Sequence, residues 1–325
     1  MKRNLKKILL SLTGASFCLT SCSMSASKIT AFQCDTFFEY TDYQEGKIAN
    51  ELKEKVDELE SIFDPYKKGT ELYKLNHERT LTVSDDLLSC LKTAVEIQEE
   101  TDGYFNPLMG KLSKHWMTFI NKKRDTPLSD EEIAPLLEEI NSSSLSFEGN
   151  KVTINGAADI DLSGICKGYI IDSLYEYVKD KTDNYLVSGG ASSVLLGEKP
   201  HGEDFKVSAF GNFWWFTAKN TTVSTSGCEE QYREYDDLLY SHIINPKTGS
   251  ALLGKTTQAL IVGRNGTKGD ALATAFIFMD HTERKRIAKQ EEIGFAIEEL
   301  HDDGTYKTYS YVTEGLKLNY PIMTG

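Results

Sequence analysis

Apolar side chains recur at helical spacing through the first half of the chain. The first series follows three- and four-residue steps and consists of Ile48, Leu52, Val56, Leu59 and Phe63. Because residues at these steps share one face of a helix, the series predicts an amphipathic helix over about residues 44–63.

Three further helices are indicated by polar residues at their starts. Ser84 precedes two acidic residues and an apolar series, as an N-cap does, and Ser129 with Glu132 has the spacing of a capping box. We expect Pro135 to kink or shorten that third helix. A fourth helix is expected after Ser163.

Beyond residue 183 the pattern changes to short β-branched or aromatic runs separated by Gly, Asn and Asp. Such runs are typical of antiparallel strands. The expected strands include residues 185–187, 213–216, 221–225, 259–262 and 306–312. This order predicts an α+β fold, with a helical N-terminal part packed on a strand-rich, mainly antiparallel C-terminal part.

Composition and charge narrow the class of protein. The chain has 325 residues, of which 26% are charged and 40% hydrophobic, as in an ordinary folded soluble protein. Its formal net charge is −13, which argues against a surface that binds polyanions. We therefore expect no nucleic-acid partner.

The first residues resemble a bacterial secretion signal. A basic start precedes an apolar run over residues 8–19 that is too short for a permanent membrane helix. The run ends in Leu-Thr-Ser-Cys, which resembles the lipoprotein box; the alternative is an ordinary signal cut elsewhere, with Cys22 incidental. The expected parts are a signal peptide at 1–21, acyl chains such as palmitate on Cys22, a tether at 22–31, and an extracytoplasmic, membrane-anchored domain at 32–325.

The remaining cysteines of the expected mature chain are widely separated and form no Cys-x-x-Cys pair: Cys34, Cys90, Cys166 and Cys228. This spacing argues against a thiolate zinc site. One or two disulfides stay open, and the sequence selects no pairing.

A polar, glycine-containing loop runs from Asp161 to Gly168 and leads into the fourth expected helix. Free N–H groups at a helix N-terminus attract anions, and Lys167 in the first turn would reach a phosphate or acidic oxygen. The alternative is a capped surface helix without a ligand.

A second candidate segment is Gly-Asp-Ala-Leu-Ala-Thr at residues 269–274, at the start of an apolar helix. Asp270 and Thr274 are four residues apart and so share a helical face. Their oxygen atoms suit Mg²⁺, which keeps several waters and takes other ligands from phosphate. The alternative is that Asp270 only interacts with the helix dipole and Thr274 bonds to the Asp270 carbonyl.

Two further polar loops are Ser-Thr-Ser-Gly at residues 224–227 and Ser-His-Ile-Ile-Asn-Pro-Lys-Thr-Gly at residues 241–249. His242 titrates near neutrality and is therefore a candidate general base, although a structural histidine is the alternative. The chain has no Gly-x-Ser-x-Gly elbow and no His-Glu-x-x-His helix, which argues against esterase and zinc-protease activities.

Together and in this order, these motifs resemble those of the ApbE-type FAD:protein FMN transferases. Further segments that resemble the family are Cys-Asp-Thr at 34–36, Phe-Asp-Pro-Tyr at 63–66, Glu-Leu-Tyr-Lys-Leu-Asn at 71–76 and Gly-Tyr-Phe-Asn-Pro at 103–107. The resemblance covers about residues 32–325. It implies a fold in which FAD lies in a cleft between the helical and the strand-rich parts.

The resemblance also implies roles for individual residues. The flavin would be lined by Tyr66, Tyr104, Phe105 and Asn106. Asp161 and Lys167 would hold polar parts of FAD.

The metal and catalytic roles follow from the same resemblance. The Mg²⁺ ligands would be the Gly164 carbonyl and the side chains of Asp270 and Thr274, and His242 would be the base. The implied reaction transfers FMN from FAD to a Thr or Ser hydroxyl of an exported or membrane-bound redox protein, releasing AMP. The alternatives are an FAD pyrophosphatase that gives FMN and AMP, or a flavin-binding lipoprotein without activity.

Four positions depart from the family pattern. The usual Asp is Asn at Asn106 and Asn245, Cys166 replaces a usual Ala, and Cys228 stands where an acidic or polar residue is frequent. The metal and phosphate positions are intact, so we expect an active enzyme.

Overall fold

The computed structural model describes residues 26–34, 36–43, 47–190, 192–210, 214–228 and 230–314. The expected signal peptide and Cys22 lie outside these residues. The helices are α1 (Lys47–Phe63), α2 (Glu71–Glu78), α3 (Asp85–Glu100), α4 (Gly110–Ile120), α5 (Asp130–Asn141), α6 (Cys166–Val178), α7 (Gly266–Phe276) and α8 (His281–Gln290).

Fifteen strands accompany these helices in the described residues. Those of the first half are β1 (Ser27–Gln33), β2 (Thr36–Asp42), β3 (Thr80–Thr82), β4 (Ser144–Glu148) and β5 (Lys151–Asn155). Those of the second half are β6 (Tyr185–Gly189), β7 (Ser193–Leu196), β8 (Phe205–Ala209), β9 (Trp214–Ala218), β10 (Thr221–Gly227), β11 (Tyr232–Tyr235), β12 (Leu238–Ser241), β13 (Thr256–Gly263), β14 (Gly294–Leu300) and β15 (Tyr306–Val312).

The centre of the fold is an eight-stranded sheet with the order β1-β2-β6-β7-β10-β13-β14-β15. Every neighbouring pair in it is antiparallel. The α+β prediction and its mainly antiparallel sheet are therefore confirmed. The sheet is not confined to the C-terminal part, however, because β1 and β2 form one of its edges.

The two faces of the sheet are covered differently, because alternate residues of a strand point to opposite faces. On β13, Ala259 and Ile261 belong to the cluster that contains the helices, whereas Leu260 and Val262 belong to a second cluster with the β8–β9 hairpin. We call the first face inner and the second outer. The molecule thus has three layers: helices, sheet and hairpin.

The helix starts agree with the expected caps. Ser84 accepts a hydrogen bond from the Leu87 N–H at 3.2 Å, and Ser129 with Glu132 forms the capping box. Pro135 does not shorten this helix, because α5 continues through it to Asn141. Buried Ile133 and Ile140 lie on either side of the proline, so tertiary packing outweighs the lost backbone hydrogen bond.

Three other boundaries differ from the sequence prediction. The fourth helix begins at Cys166, because residues 163–165 form a turn in which the Ile165 and Cys166 N–H groups both bond to the Leu162 carbonyl. Strand β1 begins at Ser27, inside the expected tether. Of residues 34–36, which look like the opening strand of the family, Cys34 follows β1 and Thr36 begins β2, while residue 35 lies outside the described set.

The structure also bears on the presence of disulfides and of membrane-spanning helices. No disulfide joins any two of the four described cysteines. Within the described part of the chain, no helix is both long enough and apolar enough to cross a membrane.

Candidate active site

The site is built where the N-terminal halves of α6 and α7 meet. A Cβ atom added to Gly168 would lie 2.1 Å from the carbonyl oxygen of Gly266, so only glycine permits this approach of the two helices. Asp172 strengthens the contact, since its carboxylate accepts the N–H groups of Gly266 and Thr267 at 2.7 Å each. The packing brings the Asp161–Gly168 segment against α7.

Asp270 is the buried carboxylate of this contact, with only 4% of its surface exposed. One oxygen accepts the Gly168 N–H at 3.0 Å and the other accepts the Ser193 hydroxyl at 3.1 Å. Burial raises the pKa of Asp270, while the Lys167 charge and these two hydrogen bonds act in the opposite direction. The carboxylate is therefore held in one orientation by groups from α6 and β7.

Thr274 and Gly164 lie next to this carboxylate. The Thr274 hydroxyl is 3.1 Å from the Ser226 hydroxyl, and it also bonds weakly to the Asp270 carbonyl at 3.4 Å. A Cβ atom on Gly164 would lie 3.3 Å from the Thr274 oxygen, so the Gly164 backbone passes directly beside it. The structure brings together the three residues that the sequence assigned to a metal.

The donor set fits Mg²⁺ in chemistry. The Asp270 carboxylate offers about four lone-pair positions, of which the two donors occupy two. Among the described residues, no three His, Cys, Asp or Glu side chains cluster as a complete protein-made metal site would require. A single carboxylate with neutral oxygens suits an ion that takes most of its ligands from water and phosphate.

Lys167 is half-buried at the start of α6, next in sequence to Gly168. Burial disfavours its ammonium charge, but Asp270, the Cys166 thiol and Glu230 favour that charge and raise the pKa of Lys167. The side chain therefore carries a positive charge that interacts with the Asp270 carboxylate. Glu230, which sequence reasoning missed, belongs to the same electrostatic group.

His242 has a defined tautomer. Its backbone N–H donates to the Gln231 carbonyl at 2.9 Å, and its ring Nδ1 lies 3.1 Å from the same oxygen. Since a carbonyl only accepts, Nδ1 carries the proton, which leaves Nε2 as the acceptor. Burial lowers the pKa of His242, and the Lys167 charge lowers it further against the opposing effect of the Gln231 bond. The ring is thus kept neutral near pH 7.

The expected flavin residues come from two loops. The Tyr66 ring is 58% exposed, while burial around its hydroxyl and the carboxylates of Asp161 and Asp64 raise its pKa. Phe105 is buried and would be 3.5 Å from a Cβ on Gly164. Tyr66 therefore lies on the Asp161 side of the site, and Phe105 lies on the metal side.

Tyr104 is joined to the loop that carries His242. The Lys247 ammonium lies 5.2 Å from the centre of the Tyr104 ring and forms an ion pair with Asp102 at 2.8 Å. Lys247 is another residue that sequence reasoning missed. Through it, the expected flavin loop and the base loop are in contact.

The two asparagines that replace the usual aspartates are turn formers. The Asn106 side chain accepts the Leu108 N–H at 2.9 Å, and the Asn245 side chain accepts the Lys247 N–H at 2.9 Å. In such a turn, an amide oxygen accepts the backbone N–H just as a carboxylate oxygen does. Asp161 forms the same kind of turn with the Ser163 N–H at 2.9 Å.

Ser193 and Gln231 were also missed, because each acts on a residue far away in sequence. Ser193 is the first residue of β7 and belongs to none of the motifs above, so its contact with Asp270 was not predicted. Gln231 acts through its backbone carbonyl, which carries no side-chain signal. Pairings of this kind depend on the sheet order and cannot be obtained from local spacing.

The chain is similar to several known proteins. Among curated relatives, the FAD:protein FMN transferase of Vibrio cholerae is 25% identical over 280 residues, covering 81% of this chain and 82% of the relative. The FAD:protein FMN transferase of Escherichia coli K12 is 25% identical over 291 residues, covering 82% and 81%.

Solved structures show the same fold. The ApbE protein of Thermotoga maritima superposes with a TM-score of 0.78 at 22% identity, covering 90% of this chain and 98% of that one. The flavin transferase ApbE of Vibrio cholerae gives a TM-score of 0.73 at 22% identity, covering 88% and 97%. The model of the ApbE family matches residues 25–297. Since this match spans most of the chain and includes every residue of the site above, the protein belongs to the ApbE family.

Proposed function

We propose that this protein transfers FMN from FAD to a Thr or Ser hydroxyl of an acceptor protein and releases AMP. The observation that carries the proposal is the buried Asp270 carboxylate at the α6–α7 contact, whose charge interacts with that of Lys167, while the Lys167 charge also acts on the neutral ring of His242. Membership of the ApbE family, whose curated relatives are named FAD:protein FMN transferase, supports it.

The proposed transfer reaction uses the polar side chains of the site. The acceptor oxygen forms a bond to the FMN-side phosphorus while the bond from that phosphorus to the bridging oxygen breaks, and AMP leaves with that electron pair. The acceptor proton passes to Nε2 of His242, which the Gln231 carbonyl leaves available. Lys167 provides positive charge for the phosphate oxygens and needs no reorganisation to do so.

Mg²⁺ would be held by Asp270, Thr274 and the Gly164 carbonyl, and when bound it would stabilise negative charge on the pyrophosphate. The chain itself keeps the Asp270 oxygens in place through Gly168 and Ser193. Tyr66, Tyr104, Phe105 and Asn106 would form the flavin wall, with Asp161 beside Tyr66.

We also propose that the enzyme acts outside the cytoplasm, anchored to the membrane by acyl chains on Cys22. The support is the lipoprotein box at residues 19–22. Such an enzyme would meet exported or membrane-bound redox proteins after they cross the membrane.

The proposed function is tested by measuring the mass of candidate acceptor proteins. Purified protein is incubated with FAD, Mg²⁺ and candidate exported redox proteins, and intact-mass spectrometry measures addition of FMN to each. Asp270→Asn keeps the size of the side chain but removes the charge that would hold Mg²⁺, so we expect transfer to fall by more than a hundredfold, as when one key electrostatic group is removed.

Asp172→Asn is the matched control, because Asp172 is a second largely buried carboxylate at the same helix contact. It caps α7 and is not expected to touch the ligand, so this variant should melt at a lower temperature yet keep its transfer rate at 25 °C. Equal rates for Asp270→Asn and wild type would overturn the proposal. Release of free FMN and AMP without acceptor labelling would show a pyrophosphatase instead.

A further inference from the structure

Two large aromatic side chains are exposed side by side on the first hairpin. Phe32 on β1 and Phe37 on β2 each have 63% of their surface exposed. Their rings form an edge-to-face pair, with centres 5.3 Å apart and planes at 74°. The apolar surface of such an exposed pair is removed from water only when another surface covers it.

The two exposed rings do not belong to the hydrophobic core. Phe32 and Phe37 are directly opposite in the β1–β2 register, on the outer face of the sheet. The next residue, Phe38, points to the inner face and is fully buried. Alternation along the strand therefore separates a core phenylalanine from a surface one.

The hairpin layer does not cover this part of the sheet. At the other end of β2, Tyr43 packs against Phe205 of the β8–β9 hairpin, with ring centres 6.3 Å apart. Beside Phe37, the described residues of that hairpin provide no ring partner, and Phe32 is the aromatic contact that Phe37 has there. The uncovered area is thus the end of the outer face nearest the β1–β2 turn.

That end of the sheet is also the end at which the active site lies. The Phe37 carbonyl accepts the N–H of Gly190 at 3.0 Å, in the turn between β6 and β7. The same turn leads to Ser193, whose hydroxyl bonds to Asp270. Cys34, in the β1–β2 turn, is close enough to Lys167 to affect its pKa. The aromatic pair therefore lies at the same end of the sheet as the site, on the face opposite to Asp270, and we call this end of the sheet the rim of the site.

We propose that Phe32 and Phe37 form the docking surface for the folded acceptor protein; this rests on the proposed function. An acceptor must bring a hydroxyl to the phosphorus, so its surface around that hydroxyl has to cover the rim. The nearest charges on the same face, Lys28 and Glu39, pair with each other at 2.8 Å. The surface accordingly suits an apolar patch beside the acceptor segment, not a charged one.

A kinetic test with variants of the pair distinguishes docking of the acceptor from the chemical step. Full-length wild type, Phe32→Ser and Phe37→Ser are compared on an exported redox protein that wild type labels with FMN. We expect KM for this acceptor to rise about tenfold or more, as for aromatic interface anchors. The rate at saturating acceptor, the affinity for FAD and the KM for a peptide containing only the acceptor segment should stay unchanged.

Tyr175→Ser is the control, since Tyr175 is an exposed aromatic residue on the second half of α6. It should change none of these values. Unchanged FAD affinity and melting temperature show that the Phe variants are folded, and Phe37→Tyr, which keeps a ring, should restore most of the binding.

Three outcomes would overturn the proposal. KM for the folded acceptor could equal that of wild type, FAD affinity could fall in step with KM, or the pair could bind lipid vesicles in place of the acceptor. If wild type labels no acceptor at all, the proposed function fails together with the docking surface. Labelling by wild type with unchanged KM in the variants removes the docking surface alone.

Discussion

At the scale of single residues, the protonation of His242 is determined by its surroundings. The Gln231 carbonyl requires the proton on Nδ1, and burial together with Lys167 disfavours a second proton. A histidine that is neutral and has a free Nε2 is able to accept a proton at neutral pH. The same contacts suit the proposed role of His242 as the base.

The first prediction concerns this base. His242→Ala should still bind FAD but lose about 10²–10⁴-fold in single-turnover transfer, the usual contribution of a general base. Because the pKa of His242 is lowered, the wild-type rate should persist at and above neutral pH. It should fall only when the pH drops below the ordinary histidine range of about 6.5.

His115→Ala is the control for this measurement, because His115 is an exposed histidine on α4. It should leave both the rate and the pH profile unchanged. A His242→Ala protein that loses FAD binding but keeps its rate at saturating FAD would make His242 a ligand contact and not the base.

Sequence reasoning performs well for residues whose role depends on local spacing. Asp270 and Thr274 are one helical turn apart, so their shared face follows from the number of residues between them. Ser193 and Glu230 reach the same site from other elements, and their contribution depends on strand order. The alternative for Thr274, a bond to the Asp270 carbonyl, is present at 3.4 Å.

At the scale of elements, two glycines determine how α6 and α7 meet. Gly168 allows a backbone contact that any side chain at this position would prevent, and a Cβ atom on Gly266 would lie only 3.0 Å from the Gly168 carbonyl oxygen. The sequence placed both helices but gave no indication that they touch. Elements were predicted best where caps and periodicity agree, as in α3, and worst where packing outweighs local preference, as at Pro135.

The Lys247–Asp102 ion pair joins the loop of Tyr104 to the loop of His242, and it carries the second prediction. Both side chains are exposed, with Asp102 at 93%, so solvent screens the pair and its contribution to binding is small. We expect Lys247→Gln and Asp102→Asn each to weaken FAD binding by about two- to fivefold at low salt. The double variant should be no worse than either single one.

Lys111→Gln provides the comparison, because Lys111 forms a similarly exposed ion pair with Glu139 at 2.7 Å, between α4 and α5. Its FAD affinity should equal that of wild type. Strictly additive losses for the Lys247 and Asp102 substitutions, measured by FAD titration, would mean that the two residues act independently and do not join the loops.

At the scale of the whole molecule, the three layers have different structural roles. The inner face of the sheet and the helices build the site, the β8–β9 hairpin covers part of the outer face, and the first hairpin reaches the rim. Because β1 begins at Ser27, only residues 23–26 separate the proposed anchor from the folded domain. A short connection of this kind would keep the enzyme close to the membrane surface.

The last prediction tests that anchor. Acylation of a lipoprotein requires the thiol of the cysteine in the box, so Cys22→Ser should abolish acylation and leave precursor or secreted protein. Detergent-phase partitioning measures the change, and Cys18→Ser is the matched control because it alters a cysteine of the same leader outside the box position. The residues described at the site all lie far along the chain from Cys22. Purified Cys22→Ser protein should therefore transfer FMN to a soluble acceptor at the wild-type rate, while unchanged partitioning would exclude Cys22 as the lipid attachment point.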